Sequence, residues 1–194
     1  MKIRFLLLSL AISSALALAA CSSGQDTASS QRAAPEAVPS PVASGINQAL
    51  TADQVNVQLS QQGAAAVSPD GKDIAVTVDL GNSGKVALSS TGKYPVHLGA
   101  HSVAADGQII ENDLARANIP IIAPGGSAQV TILLPIDKTL NHSVQLLPVQ
   151  EEVTWFDSLG TKPLVVGPFL SCSESDAGKV CGADGKPLAQ LPAK

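Results

Sequence analysis

Aromatic and charged residues are both scarce in this sequence of 194 residues. Aromatic side chains make up 3% of the chain and charged ones 14%, whereas apolar residues reach 45%. A hydrophobic core must therefore be assembled mainly from Val, Leu, Ile and Ala, and this composition favours strands. The length leaves room for one domain of ordinary size with tails.

Basic residues are also few. Lys and Arg total 12 against 16 Asp and Glu, which gives a formal net charge of -4. A protein that binds nucleic acid needs a basic footprint, and none is present here. We therefore expect no nucleic-acid partner, and no electrostatic attraction to anionic lipid headgroups.

The familiar motifs of catalysis are missing as well. The sequence contains no Gly-x-Ser-x-Gly elbow, no Walker loop and no dinucleotide fingerprint. Ser90 and Lys93 have the Ser-x-x-Lys spacing of penicillin-recognising enzymes, but Gly92 interrupts the motif and no Ser-Asp-Asn or Lys-Thr-Gly follows. The adjacent acids Glu151 and Glu152 would point to opposite faces of a strand, so they could not flank one bond. The sequence therefore predicts a protein that is not an enzyme.

Two histidines four residues apart, His97 and His101, are the obvious candidates for a metal site. Four residues would bring both rings to one side of a helix, but Pro, Gly and Val around them favour a strand. At about 3.3 Å per residue the two side chains would lie roughly 13 Å apart, too far to share one ion. We predict no metal site and no cofactor.

What the sequence does have begins at its N-terminus. Lys2 and Arg4 precede an apolar run from Phe5 to Ala20, and Leu18-Ala19-Ala20-Cys21 closes it with small residues before a cysteine. This pattern resembles the lipobox of bacterial lipoproteins. The resemblance implies that Cys21 carries a diacylglyceryl group, that the chain is cut before it, and that its new amino group is acylated. An ordinary signal peptide or a retained membrane anchor is the alternative, although the run is shorter than the ~20 residues of a spanning helix.

The lipoprotein interpretation divides the chain into four parts. Residues 1–20 are the predicted signal peptide, and residues 21–50 form a lipidated, disordered tether rich in Ser, Ala and Pro. Residues 51–170 are the predicted body, and residues 171–194 are a disulfide loop and a partly flexible tail. Ser22 directly after Cys21 resembles the signal for transfer to the outer membrane. We expect a protein anchored in the cell envelope by covalent lipid and facing the periplasm.

The same interpretation accounts for all three cysteines. With Cys21 modified by lipid, Cys172 and Cys181 remain to pair with each other in an oxidising periplasm. Closing so short a loop contributes roughly 2 to 3 kcal/mol by chain-entropy reasoning. A zinc site is the alternative, but two thiols without a nearby histidine make a poor ligand set.

Apolar residues alternate with polar ones along most of the body, and turn residues separate the alternating segments. About seven short strands of this kind predict an all-β, immunoglobulin-like antiparallel sandwich, with an up-and-down barrel as the alternative. The predicted strands are centred on Val55–Leu59, Ile74–Leu80, Tyr94–Ala104, Gln108–Ile110, Ala128–Leu134, Ser143–Phe156 and Pro163–Phe169.

A longer pattern supports this fold. The residues of this pattern follow one another in order: Gly81-Asn82-Ser83-Gly84, Pro95-Val96-His97-Leu98-Gly99, Asp106-Gly107, Arg116 with Pro120, Pro124-Gly125 and Val149-Gln150-Glu151-Glu152-Val153-Thr154-Trp155-Phe156. This series resembles the immunoglobulin-like domain appended to bacterial glycosyltransferases and other surface-polysaccharide proteins. The resemblance covers about residues 74 to 168 and implies an accessory binding module.

Three residues are the candidates for ligand binding: Trp155, Tyr94 and Arg116. We expect Trp155 to fill the sandwich core, with a stacking platform at the surface as the alternative. The predicted function is that of a non-catalytic binding or accessory module for cell-surface polysaccharide. The alternative is a scaffold that binds another envelope protein through a sheet edge or a loop face.

Overall fold

The structure is a computed structural model that describes residues 45–193. Cys21, the predicted signal peptide and most of the predicted tether lie outside the described residues. The described part contains the strands β1 (Val57–Gln61), β2 (Ala66–Val67), β3 (Asp73–Asn82), β4 (Val96–Val103), β5 (Ile109–Asn118), β6 (Ser127–Pro135), β7 (His142–Gln150), β8 (Thr154–Trp155), β9 (Leu164–Ser171), β10 (Val180–Cys181) and β11 (Ala189–Gln190), one short helix, α1 (Ile136–Thr139), and a 3-10 turn at Glu174–Asp176. No helix within residues 45–193 has the length and hydropathy needed to cross a membrane.

The strands form two sheets. In the first sheet, β3 pairs with β6 along one edge and with β1 and then β2 along the other, and β11 joins β2. In the second sheet the order is β10-β9-β7-β4-β5, with β8 also paired to β7. Every pairing is antiparallel except the short one between β11 and β2. The prediction of an all-β antiparallel sandwich is confirmed.

The alternating residues of the two sheets meet in the core. In β3 the inward side chains from Ile74 to Leu80 are all fully buried, and Ile132 and Leu134 of β6 lie beside them. The second sheet contributes mainly β-branched and leucine side chains from β4 and β7, together with Phe156 just after β8. Because successive side chains of a strand point to opposite faces, the remaining, alternate side chains of each strand lie on the outer face of its sheet.

The strand β5 is the main difference from the predicted strands. We expected a short strand at Gln108–Ile110, but the structure has ten residues from Ile109 to Asn118. Its sequence does not alternate because β5 is an edge strand, and Leu114 is its one buried side chain. Backbone pairing with β4, with two shifts of register, holds it in the sheet.

Both ends of the body extend beyond the predicted boundaries. Ile46 and Leu50, which both fall within the last five residues of the predicted tether, are buried in the core. The side-chain amide of the buried Gln150 fixes this segment, because Oε1 accepts from the Leu50 amide at 2.8 Å and Nε2 donates to the Gln48 carbonyl at 2.8 Å. The body therefore begins before residue 51.

The C-terminal segment also packs on the sandwich. Cys172 and Cys181 are joined by a disulfide with a Cα–Cα distance of 5.1 Å, as predicted. Val180 belongs to the core, β10 pairs with β9, and β11 pairs with β2 on the other sheet. Residues 171–193 therefore connect the two sheets, where we expected a partly flexible appendage.

Candidate functional site

The outer face of the second sheet is unusual because large side chains cover it. In β4 the side chains of Val96, Leu98 and Ala100 enter the core, so His97, Gly99 and His101 face outward. Gly99 pairs with Arg116 of β5 on one side and with Leu147 of β7 on the other. We call His97, His101, Arg116, Glu151 and Trp155 the outer-face cluster.

Trp155 lies directly on Gly99. A Cβ atom at Gly99 would be 2.6 Å from Cη2 and Cζ3 of the indole and 2.8 Å from Nη1 of Arg116. Only glycine leaves this space, so the residue at position 99 determines whether the indole can lie against the sheet.

This position corrects our expectation that Trp155 fills the core. Trp155 is partly exposed, and the neighbouring Phe156 is the fully buried aromatic residue. Successive side chains of an extended segment point to opposite faces, so only one of the two can enter the core. The inward position is taken by Phe156.

The indole is in contact with two other members of the cluster. The guanidinium carbon of Arg116 is 4.4 Å from the ring centroid, which is a cation–π distance. The imidazole of His101 is 3.7 Å away between ring centroids, at an angle of 42° between the two planes. Two outward side chains of β7, Leu147 and Val149, are buried although they do not belong to the core, so this face carries a second apolar layer.

Glu151 connects the polar members of the cluster. Its Oε1 is 2.8 Å from Nδ1 of His97 and accepts from Nε of Arg116 at 3.1 Å. Nη1 of Arg116 is also 2.6 Å from a carboxylate oxygen of Asp113. Partial burial alone would raise the pKa of Glu151, but the hydrogen bonds and charges of His97 and Arg116 outweigh burial, and the pKa is lowered. Glu151 is therefore ionised at neutral pH.

His101 is almost completely buried beneath this layer, with 2% of its surface exposed. Its Nδ1 is 2.6 Å from the carbonyl oxygen of Asn112, so Nδ1 donates and carries the proton of the neutral ring. Burial lowers the pKa of His101, and the Asn112 carbonyl offsets only part of that effect. The ring is therefore neutral at pH 7.

The other predicted site residues are not part of this cluster. Tyr94 precedes β4, and its ring is covered by the Lys93 amine at 4.8 Å. The Ser90 hydroxyl donates to the Val96 carbonyl at 2.7 Å and accepts from the Ile119 amide at 2.8 Å, which explains the residue without any catalytic role. Among the candidate ligand-binding residues, the structure brings together Trp155 and Arg116.

His97 and His101 lie on the predicted strand, as members of one outward row with Gly99 between them. No group of three His, Cys, Asp or Glu side chains within residues 45–193 is arranged to hold a metal ion. Glu152 occupies a turn with a φ of 60° and is exposed, so only Glu151 of the two adjacent acids joins the cluster.

Sequence reasoning missed His97, His101 and Glu151 as members of one site. The signal was present in His97-x-Gly99-x-His101, because alternate residues of a strand share a face. The site is thus a partly exposed indole beside hydrogen-bonding side chains on the outer face of a sheet, an arrangement that can bind a ligand. Comparison of the chain with known protein families gives no match. Comparison with curated proteins gives none either.

Proposed function

We propose that this protein is a lipid-anchored, non-catalytic binding module of the bacterial cell envelope. The basic head, apolar run and cysteine of residues 1–21 support export and lipid attachment. The proline-rich stretch that follows supports a tether between the lipid and a compact body. We place the anchor in the outer membrane and the body in the periplasm, because Ser22 follows the lipidated cysteine.

The ligand that fits the outer-face cluster best is a cell-surface polysaccharide. One observation carries this proposal: the single tryptophan of the chain lies on a sheet face and not in the core, next to charged and imidazole side chains. Sugars present apolar ring faces and many hydroxyl groups, so a partly exposed indole beside hydrogen-bonding side chains suits them. The resemblance to the immunoglobulin-like domain of surface-polysaccharide proteins agrees with this ligand class.

The electrostatics of the cluster argue against Glu151 as a general acid. A carboxyl group that acts as a general acid needs a raised pKa, and the pKa of Glu151 is lowered. Arg116 and His97 both contact the same oxygen of Glu151, so two hydrogen bonds and the charge of Arg116 stabilise this carboxylate. The arrangement fixes the orientation of the side chains and so presents a preorganised surface.

Polysaccharide binding can be tested with the full-length chain in detergent and polysaccharide extracted from the cell envelope and immobilised. We expect Trp155→Ala to lower retention by about tenfold or more, the loss that corresponds to one aromatic contact of about 1.4 kcal/mol. Tyr94→Ala is the matched control, because it removes an aromatic side chain outside the cluster. Equal retention of wild type and Trp155→Ala, with unchanged far-UV circular dichroism, would rule out this ligand site.

Lipid attachment has its own test. Cells grown with radiolabelled palmitate should label the wild-type chain and leave a Cys21→Ser variant unlabelled. The control is a Cys172→Ser, Cys181→Ser variant, which removes the other two cysteines and should keep the label. Equal labelling of wild type and Cys21→Ser would contradict the lipid anchor.

A protein partner is the second candidate, and the strand β1 is the observation that favours it. The segment from Gln54 to Ser68 contains no charged residue, and β1 within it is an edge strand of the first sheet. Sheet edges commonly carry Lys, Pro or bulges that prevent pairing with another strand. A groove of about 410 Å³ runs between β1 and the start of β9, with Leu59, Leu164 and Lys162 among its lining residues.

The two candidates are separated by photocrosslinking in cells. A photoreactive residue in place of Gln58 on β1 should capture one specific protein if β1 binds a partner strand. The same residue in place of Gln129 on β6, another exposed position of the first sheet, is the control. No specific product from Gln58 would remove the protein-partner candidate and leave the polysaccharide proposal unaffected.

A further inference from the structure

His101 lies where a second proton would disturb the outer-face cluster. It is buried, it faces outward from β4, and the indole of Trp155 lies against it at 3.7 Å between ring centroids. Nδ1 already donates to the Asn112 carbonyl, so Nε2 is the atom that takes a second proton. No group among the described residues hydrogen-bonds to Nε2. A charged imidazole therefore needs more water at Nε2 than the 2% exposure of His101 in the closed cluster allows.

The charges that face His101 come from several elements. From β5 the guanidinium of Arg116 opposes a second positive charge, while the carboxylate of Asp113 favours it. From the turn after β8, Asp157 also favours it. The residue beside His101 on β7 is Gln145, which is neutral. Desolvation is the largest of these effects, so the closed cluster binds the second proton more weakly than an open one would.

The part of the cluster that can move is the indole. The segment after β8 is anchored because Phe156 is fully buried and its amide donates to the Pro148 carbonyl at 3.0 Å. The indole itself is held by Arg116, by His101 and by its fit on Gly99. Rotation of the Trp155 side chain would admit water to Nε2 of His101 without separating the sheets. Such rotamer changes at a surface are fast and local.

We propose that His101 is a proton-operated latch for Trp155, so that protonation of its imidazole releases the indole from Gly99 and dismantles the preorganised ligand surface in acid. The biological use of the latch rests on the proposed polysaccharide binding, whereas the latch itself is a property of the chain alone. Acid favours the open state because that state binds the proton more tightly, and linkage then shifts the population toward it. The transition lies below the ordinary histidine pKa of 6.5, since burial lowers the pKa of the closed form.

The single tryptophan of the chain makes its fluorescence a direct readout. The full-length chain in a non-fluorescent detergent, without polysaccharide, is titrated between about pH 7.5 and about pH 5, the range in which histidines change charge. We expect a red-shifted emission and stronger quenching by acrylamide on acidification, with an unchanged far-UV spectrum. Loss of the β spectrum at the same midpoint would mean global unfolding and would overturn the latch.

Two variants test whether protonation of His101 causes this change in Trp155 fluorescence. His101→Gln keeps a neutral donor for the Asn112 carbonyl and should abolish the pH dependence, whereas His142→Gln at the start of β7, outside the outer-face cluster, should keep it. A transition that survives in His101→Gln would refute the proposal. If that variant does not fold, the wild type decides the matter by NMR, because the imidazole of His101 and the indole of Trp155 must titrate with one midpoint. Two different midpoints would overturn the latch, and neither result depends on whether polysaccharide binds.

Discussion

The two outer faces of this sandwich differ, although the same alternating pattern of residues builds both sheets. The outer face of the first sheet carries polar side chains such as Thr77, Gln129 and Thr131, and it is open to water. The outer face of the second sheet carries Leu147 and Val149 in buried positions under a layer of larger side chains. This contrast is one reason why we propose the second sheet as the binding face.

The two outer faces should differ most in how strongly the loss of an outward leucine lowers the free energy of unfolding. Leu147 faces outward from β7 and is 1% exposed, whereas Leu133 faces outward from β6 and is 49% exposed. Leu147→Ala should lower the free energy of unfolding by about 2 to 5 kcal/mol, as removal of a buried leucine does. Leu133→Ala should change it by no more than about 0.5 kcal/mol. Urea titration followed by circular dichroism measures both, and equal effects would mean that the second apolar layer contributes nothing.

The next difference concerns two glycines at outward positions. Gly99 would place a Cβ atom 2.6 Å from the indole of Trp155, whereas a Cβ atom at Gly81 of β3 would have its nearest neighbour at 3.9 Å. Gly99→Ala should therefore cost about 1 to 3 kcal/mol through overpacking and should also change the fluorescence of Trp155. Gly81→Ala should be neutral or slightly stabilising, because alanine restricts the unfolded chain. An unchanged Trp155 spectrum in Gly99→Ala would contradict the described position of the indole.

The third difference concerns one acid on each face. Glu151 contacts His97 and Arg116, while Asp79 of β3 is outward on the first sheet. Glu151→Gln should lower the free energy of unfolding by about 1 to 2 kcal/mol at neutral pH, because charge-assisted hydrogen bonds are lost. Asp79→Asn is the control and should have little effect.

The pH dependence of that difference has a definite sign. The pKa of Glu151 is lowered below its ordinary value of 4.5, so the folded protein binds this proton more weakly than the unfolded chain does. Its stabilisation is complete above about pH 5 and is lost as the pH falls through the lowered pKa. The difference in free energy of unfolding between wild type and Glu151→Gln should therefore become smaller below pH 4.5. If this difference in free energy of unfolding stays constant in acid, the charge of Glu151 is not what stabilises the cluster.

The fold could be predicted from the sequence wherever one face of a strand is apolar and the other polar. The predicted strands at Ile74–Leu80 and Ala128–Leu134 match β3 and β6 to within two residues at each end. The strand β5 could not be predicted to its full length, because an edge strand is held by backbone pairing and its side chains need not alternate.

The site was harder to predict than the fold for a related reason. Alternation shows that Trp155 and Phe156 point to opposite faces, but it does not say which of the two enters the core. That choice depends on the pairing of β8 with β7, where Trp155 is opposite the outward Val149. Pairings between distant segments, such as Glu151 with Arg116, arise only when the strands assemble, so the cluster became visible only in the structure.

The smallest change in the free energy of unfolding is expected for a substitution on the water-exposed outer face of the first sheet. The hydroxyls of Thr77 and Thr131 are 3.0 Å apart on adjacent strands and exposed to water. Because water competes for both groups, Thr131→Val should change the free energy of unfolding by no more than about 0.5 kcal/mol, even though it removes a cross-strand hydrogen bond. Thermal unfolding of Thr131→Val beside Glu151→Gln gives the comparison, since each variant changes the polar contacts of only one face. If Thr131→Val lost more stability than Glu151→Gln, the polar contacts of the first sheet would be the stronger ones. The second sheet would then not be the preorganised one.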